Sequence, residues 1–362
     1  MQSPTCTGGF GDRIRGFVTA FYFAIATDRI FLIDWLPYPG VQDYFEINNA
    51  TYFNEMKEKE KDGNIFKFLR SSGWTKDNPE MEKRVFVDEF ASQDFQKSLE
   101  SSDIFMFGNN RWNALEALFL APKYRQKLVQ VLGHDIVGSG TIDFKALITA
   151  GMRILLGKPK KQLKEIVENT IAKEIGNSFW KEAIKFGVQL RFHGGIEDGE
   201  RADRFFVCFQ DELGKMWRIR TGGNESKPVV IFVTVSLSEE ETTNLVGKLV
   251  EKLPKLANIK TFWTGKKQNL TYSHVLLGQS NATNDKWMAT AKSYVDWHLM
   301  TRMDYLIISR SGFGESAAFM GNQFTRRLMH TRSSKDLCVF DSFYDHLYTL
   351  LVDRQTKIYD LI

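Results

Sequence analysis

Apolar and polar positions follow two rhythms along this chain, and the switches between them mark out strands and helices. From Ile14 to Ala26 nearly every residue is apolar, which reads as a buried helix. Arg29 to Trp35 (Arg-Ile-Phe-Leu-Ile-Asp-Trp) then reads as a strand ending in a carboxylate. Leu36-Pro37-Tyr38-Pro39-Gly40 is a turn by composition. Residues 41–83 are polar, with scattered aromatics such as Tyr44, Phe45, Tyr52 and Trp74, and predict loops and short elements. Val85 to Val87 and Ile104 to Gly108 match short buried strands, and helical periodicity returns from Trp112 to Leu132.

Residues 158–183 are highly charged, with Leu163, Ile166, Ile171 and Ile175 spaced mostly on one helix face. That helix reads equally as a connector between domains or as a surface helix of the first. Beyond it a strand–helix rhythm repeats. Ile184 to Phe192 is a strand candidate, and Val229 to Val235 is a β-branched run that reads as a strand. Ser238 and Glu241 form a capping box that opens a helix to about Leu253. Ile259 to Phe262 predicts a strand, Lys286 to Met303 a helix, Tyr305 to Ile308 a strand, and Glu315 the start of another helix. Leu337 to Phe340 and a helix near Tyr344 to Leu351 close the series.

Alternating β and α elements imply parallel sheets covered on both faces. Two series predict an α/β chain of two Rossmann-like domains: residues 1–180, residues 181–340, and a C-terminal helix in 341–362 that crosses back to the first. Ligands of such sheets sit beyond the carboxyl ends of strands. The second series offers three such ends: Arg191 to Gly195, Thr234 to Ser238, and Ser309 to Gly314.

Each end has a chemical and a structural reading. Arg191 can hold a phosphate through paired hydrogen bonds and offset charge on a leaving group, or it can be a salt-bridged edge residue. His193 beside Gly194 is a phosphate ligand, a base, or a structural hydrogen-bonder. Ser309-Arg310-Ser311-Gly312-Phe313-Gly314 supplies hydroxyls and free N–H groups before a helix, an anion cradle or simply a tight turn. In the loop Glu197-Asp198-Gly199-Glu200, any of the three carboxylates could serve as a general base, or all be merely solvated. Near the start, Gly8-Gly9-Phe10-Gly11-Asp12-Arg13 opens the first helix and can cradle phosphate, with Arg13 as a further cation or an ion-pair partner.

Composition narrows the classes. With 362 residues, 43% hydrophobic and 25% charged, the chain is that of a soluble globular protein. A net charge of +4 is mild, and no basic stripe argues for nucleic acid. The longest apolar run, Phe17 to Ala26, is too short to span a bilayer. Cys6, Cys208 and Cys338 show no paired spacing and read as buried free thiols in a reducing, cytoplasmic setting. Four N-x-S/T sequons, at Asn49, Asn224, Asn269 and Asn281, stand against that, and little precedes Gly8. A catalytic region cut from a longer polypeptide of the Golgi lumen is the other expectation. No Asp-x-Asp, His-Glu-x-x-His, Walker lysine or Gly-x-Ser-x-Gly elbow occurs, so any diphosphate would be neutralised by a cationic side chain.

Three blocks, in order, resemble the superfamily of GDP-fucose-dependent fucosyltransferases (nodulation and core α-1,6, plant α-1,2 and protein O-fucosyltransferases). They are Gly8 to Trp35, Phe186-Gly187-Val188-Gln189-Leu190-Arg191, and Asp304 to Ala318. The resemblance implies a GT-B fold, two Rossmann-like domains facing each other across a cleft. It implies inverting transfer of fucose from GDP-fucose to a glycan hydroxyl, with no metal and no other cofactor. The partners would be a nucleotide-sugar donor and an oligosaccharide acceptor. Carried over, Arg191 contacts the β-phosphate; Gly9, Phe10, Gly11, Asp12 and Arg13 close over the diphosphate; and Ser309, Ser311, Gly312, Phe313 and Gly314 contact the nucleotide. Gln189 and Ser236 stand where the family usually has His and Asp near the guanine, and Glu197, Asp198 and Glu200 are candidate bases. These departures keep open a non-catalytic nucleotide-sugar- or glycan-binding relative. Gly9-Phe10-Gly11 with Asp34 also imitates the fingerprint of an NAD(P)-dependent oxidoreductase, although Ile14 stands at its third glycine.

Overall fold

The structure is a computed structural model. It describes residues 10–29, 31, 40–47, 66–70, 88, 90–93, 97, 104–108, 112–132, 144–190, 197–222, 226–235, 239–251, 258–265, 286–309, 311–321, 324–328 and 340–342, some by backbone alone. In chain order the elements are α1 (Phe10–Ala26), α2 (Val41–Tyr44), β1 (Phe66–Arg70), β2 (Ile104–Gly108), α3 (Trp112–Leu120), α4 (Pro122–Leu132), α5 (Phe144–Leu156), α6 (Lys161–Glu174), α7 (Asn177–Glu182) and β3 (Ile184–Leu190). They continue with α8 (Glu197–Thr221), β4 (Val229–Val235), α9 (Glu239–Glu251), β5 (Ile259–Phe262), α10 (Lys286–Met300), β6 (Tyr305–Ser309), α11 (Gly312–Gly321), β7 (Phe324–Leu328) and β8 (Phe340–Ser342). The fold is mixed α/β, and it divides into two compact units, Met1–Pro159 and Lys160–Ile362.

In the first unit α1 is the element the others pack around. Its apolar residues recur on every side, so it is buried against α3, α4 and α5 rather than lying on a surface. Tyr22 donates its hydroxyl to the Leu147 carbonyl of α5 at 2.6 Å, and burial pushes this phenol well above its ordinary pKa. Gly151 of α5 permits the approach: a Cβ there would sit 2.9 Å from the Tyr22 ring and 3.1 Å from Val18. Phe23, Phe90 and Tyr124 complete an aromatic cluster with centroids 6.0–6.2 Å apart. The helical stretch expected from Trp112 to Leu132 is broken at Ala121, because Pro122 has no N–H to continue the ladder and starts α4 instead. Strands β1 and β2 pair in parallel.

In the second unit the strand order is β5-β4-β3-β6-β7-β8, all parallel except β8. The chain runs outward from β3 through β4 to β5, then returns to the other side of β3 with β6. This is the doubly wound order, with its switch point between β3 and β6. One face buries Phe186, Val188 and Leu190 of β3 and the odd-numbered residues of β4 against Cys208, Phe209, Leu213, Met216 and Trp217 of α8 and Leu245, Val246 and Leu249 of α9. The other face lies under α10 and α11. There a Cβ on Gly187 would meet Leu306, Met300 and Met303 within 2.9 Å, so the missing side chain makes room for α10.

Several expectations change here. The helix expected within 158–183 packs on α10 of the second unit, and Arg302 at the end of α10 pairs with its Glu168 at 2.8 Å. It ends where Gly176 turns left-handed, at φ 88°, and α7 follows. Residues Glu197 to Glu200 open helix α8 rather than forming a loop, since acidic side chains suit the positive end of a helix dipole. Helix α11 begins at Gly312, three residues before the expected start at Glu315, whose N–H already donates to the Ser311 carbonyl at 3.0 Å. Cys208 is buried as expected but is disulfide-bonded, not a free thiol. Cys6 and Cys338 lie outside the described residues, as do most of 30–39, 85–87 and the helix expected near 344–351. Among the described residues no helix is long and apolar enough to cross a membrane.

Two outcomes test this packing. Gly151→Val should lower stability by about 1–3 kcal/mol through overpacking against Tyr22, read from the urea midpoint. His298 of α10 is half-buried beside Arg302 and Glu168, and its Nδ1, itself shielded from solvent, has no hydrogen-bond partner among the described residues. Burial first, then Arg302, lower its pKa to about 4, with Glu168 opposing. The folded state therefore disfavours the proton that the unfolded chain takes up near pH 6.5, and stability falls as pH drops from there toward 4. Urea titrations of His298→Gln across that window should show a shallower pH dependence than the parent.

Candidate functional site

The carboxyl edge of the second sheet carries a row of buried polar side chains at the rung where the apolar core stops. Below it, on the α10/α11 face, Phe232 of β4 and Phe262 of β5 pack as a tilted ring pair with centroids 4.9 Å apart. Two residues further along each chain stand Thr234 and Thr264, both buried. Level with Thr234 on the central strand is Gln189. Ser309, the last residue of β6, donates its Oγ to Gln189 Oε1 at 3.3 Å. This hydrogen bond crosses the switch point itself.

Helix α11 starts immediately beyond. Ser311 is its N-cap: its carbonyl accepts the first helical hydrogen bond, from Glu315 N–H. The Ser311 side chain is 3% exposed, yet its Oγ makes no hydrogen bond among the described residues, so it does not cap the first-turn N–H groups. Gly314 packs flat on Gln189, where a Cβ would lie 2.8 Å from Oε1 and 3.0 Å from Ile308. Within α11, Ser316 takes a hydrogen bond from Trp297 Nε1 of α10 at 3.0 Å and donates to the Phe313 carbonyl at 2.9 Å. The position of the helix terminus is thus fixed from the strands below and from α10 beside it.

The structure brings Gln189, Ser309, Ser311, Gly312, Phe313 and Gly314 together at one edge. Gln189 is buried and engaged by Ser309. Arg191, His193, Gly194 and Ser236 follow β3 and β4 but lie outside the described residues, as does Gly9. Glu197, Asp198 and Glu200 fall in the first turn of α8, and Asp12 in that of α1, with only their backbone described. Phe10, Gly11 and Arg13 also belong to the start of α1 in the first unit. Arg13 is 9% exposed there, a buried guanidinium with interactions of its own rather than a solvent-facing cation. Among the described residues no three His, Cys, Asp or Glu side chains gather as a metal site.

One group escaped sequence reasoning. Lys292 and Asp296, one turn apart on α10, are both buried and meet Thr234 and Thr264 at the sheet's edge. Their signal was a charged pair at i, i+4 inside a run of Ala291, Tyr294, Val295, Trp297 and Leu299.

No family model matches the chain, and no curated protein matches it in sequence. Solved structures do match. A mutant of Arabidopsis thaliana FUT1 in complex with GDP superposes with a TM-score of 0.55 at 16% identity, covering 91% of this chain and 70% of that one. NodZ alpha-1,6-fucosyltransferase co-crystallized with GDP gives 0.47 at 15% identity, over 89% and 92%. Fucosyltransferase NodZ from Bradyrhizobium gives 0.47 at 16%, over 88% and 92%. At such identities the likeness is one of fold, and it is carried by the FUT1 match.

The contact across the switch point can be tested by coupling. Gly314→Ala should cost about 1–3 kcal/mol, because the new methyl meets Gln189 Oε1 and Ile308. Part of that cost should disappear when Gln189→Ala is also present, giving a non-additive double-mutant cycle by urea unfolding. Additive effects would show that the two side chains do not press on each other.

Proposed function

We propose that this chain is a GT-B glycosyltransferase that moves fucose from GDP-fucose to a glycan hydroxyl, with inversion and without a metal ion. The observation that carries the reading is the switch point. A central strand runs into Arg191, a neighbouring strand ends in Ser309, and a ten-residue helix opens beside both, its cap a buried serine whose hydroxyl has no hydrogen-bond partner among the described residues. Helix N-termini at such crevices suit phosphate, through free N–H groups and the positive end of the dipole. The FUT1 structure, itself a GDP complex, supports a nucleotide at this fold. The assignment of fucose rests on the three sequence blocks.

In this reading the second unit holds the GDP. Ser309, Ser311 and the N–H groups of Gly312, Phe313 and Gly314 meet the diphosphate, and Arg191 offsets the charge that builds as the sugar–phosphate bond breaks. The acceptor hydroxyl attacks the anomeric carbon from the opposite side and gives its proton to a carboxylate at the start of α8, with Glu197, Asp198 and Glu200 as candidates. His193, Gly194 and Ser236 border the nucleotide. The disulfide at Cys208 and the sequons favour an oxidising lumen over the cytoplasm.

A binding protein that has lost the chemistry is the second reading, favoured by Gln189, which is held by Ser309 in place of the family's histidine. Calorimetry with GDP in EDTA and release of free nucleotide from GDP-fucose separate the two. The enzyme reading expects micromolar binding without metal, turnover by the parent, and loss of turnover in a folded Arg191→Ala variant. Binding without any nucleotide release would favour the second reading, and no GDP binding would overturn both.

A further inference from the structure

The Lys292–Asp296 pair lies beside the proposed phosphate site but makes no contact with Ser309, Ser311 or Gln189 among the described hydrogen bonds. Asp296 Oδ2 accepts from Thr234 Oγ1 at 2.8 Å and from Lys292 Nζ at 2.6 Å, while Oδ1 accepts from Thr264 Oγ1. Lys292 Nζ also donates to Thr264 Oγ1 at 2.9 Å. One carboxylate thus gathers two strand-end hydroxyls and an ammonium, and all four residues are less than 10% exposed. A buried ion pair of this kind is poor evidence for stability, since apolar residues of the same volume commonly serve as well. What it does supply is a fixed geometry, and its place says for what. Thr234 is the penultimate residue of β4, and Thr264 stands two residues past β5. In a doubly wound sheet the phosphates sit by the switch point, at the turn that follows the first strand, here β3. The nucleoside then extends along the carboxyl edge, where the second strand's end meets the ribose. Here that second strand is β4.

We infer that Lys292 and Asp296 are positioning residues for the nucleoside half of the bound nucleotide. They hold the ends of β4 and β5 at the rim where ribose and base rest, and leave the diphosphate contacts to β3, β6 and α11. This rests on the nucleotide reading of the site, and it divides the rim into two parts that respond separately to mutation.

The test compares GDP with inorganic pyrophosphate, which lacks the nucleoside, by calorimetry on the parent, on Asp296→Asn and on Thr264→Val. Thermal melts and circular dichroism first establish that each variant is folded. Both substitutions keep shape and remove one member of the network, and the threonine variant carries the test if the buried aspartate proves essential for folding. The expected result is GDP binding weakened about tenfold or more with pyrophosphate affinity changed by less than about twofold, together with reduced preference for GDP over ADP and UDP. Variants that bind GDP as the parent does, or that lose GDP and pyrophosphate in equal proportion, would overturn the inference. A parent that binds pyrophosphate but no nucleoside diphosphate would overturn the nucleotide reading itself.

Discussion

Strand β3 hydrogen-bonds along both of its edges, to β4 on one side and to β6 on the other, and every later feature of the second unit follows from that position. Parallel pairing requires crossovers, so helices must cover both faces. The two directions of winding part at β3, which opens a crevice at its carboxyl end. Because the sheet is buried on both sides, any polar group near that end must find a partner. Gln189 takes one from Ser309, and Thr234 takes one from Asp296. The Ser311 hydroxyl has none among the described residues, and it stands at the head of the helix beside the crevice.

How far the sequence discloses this depends on what each segment had to satisfy. Val229–Val235 is visible to the residue, because a strand buried on both faces tolerates little besides β-branched and aromatic side chains. Strand β7 (Phe-Thr-Arg-Arg-Leu) is invisible by the same rule, since Arg326 and Arg327 interrupt its apolar character and it is placed by pairing with β6. Helix α8 hides behind its opening, where Gly199 among acids imitates a loop, although Cys208, Phe209, Leu213, Met216 and Trp217 trace its buried side. Helix α11 starts earlier than expected although glycine is a poor helix former, because Gly314 in its first turn packs on Gln189 and Ile308. Of the candidate site, the serine–glycine stretch was legible as a tight turn between a strand and a helix. The Lys292–Asp296 network was not, because it joins three elements that only the fold brings together.

The two units differ in what organises them. The first is built on a helix, α1, whose glycine-permitted approach to α5 and aromatic neighbours bury most of its surface. The second is built on a strand. A change in α1 therefore acts through packing volume, whereas a change at the rim of the second sheet acts through hydrogen bonds and charge. These two kinds of damage separate cleanly in measurement.

The position of β3 also decides how the chain must be made. Gln189 and Ser309 are 120 residues apart in sequence, yet they lie on adjacent strands. While the chain leaves the ribosome, β3 can pair with β4 soon after both appear, but its other edge stays open until β6 is synthesised. That edge belongs to an apolar strand, the kind that recruits foreign strands when left unpaired. The second unit thus passes through a stage in which the strand edge beside its future crevice is open to foreign strands, and a chain cut short before Tyr305 would be held at that stage.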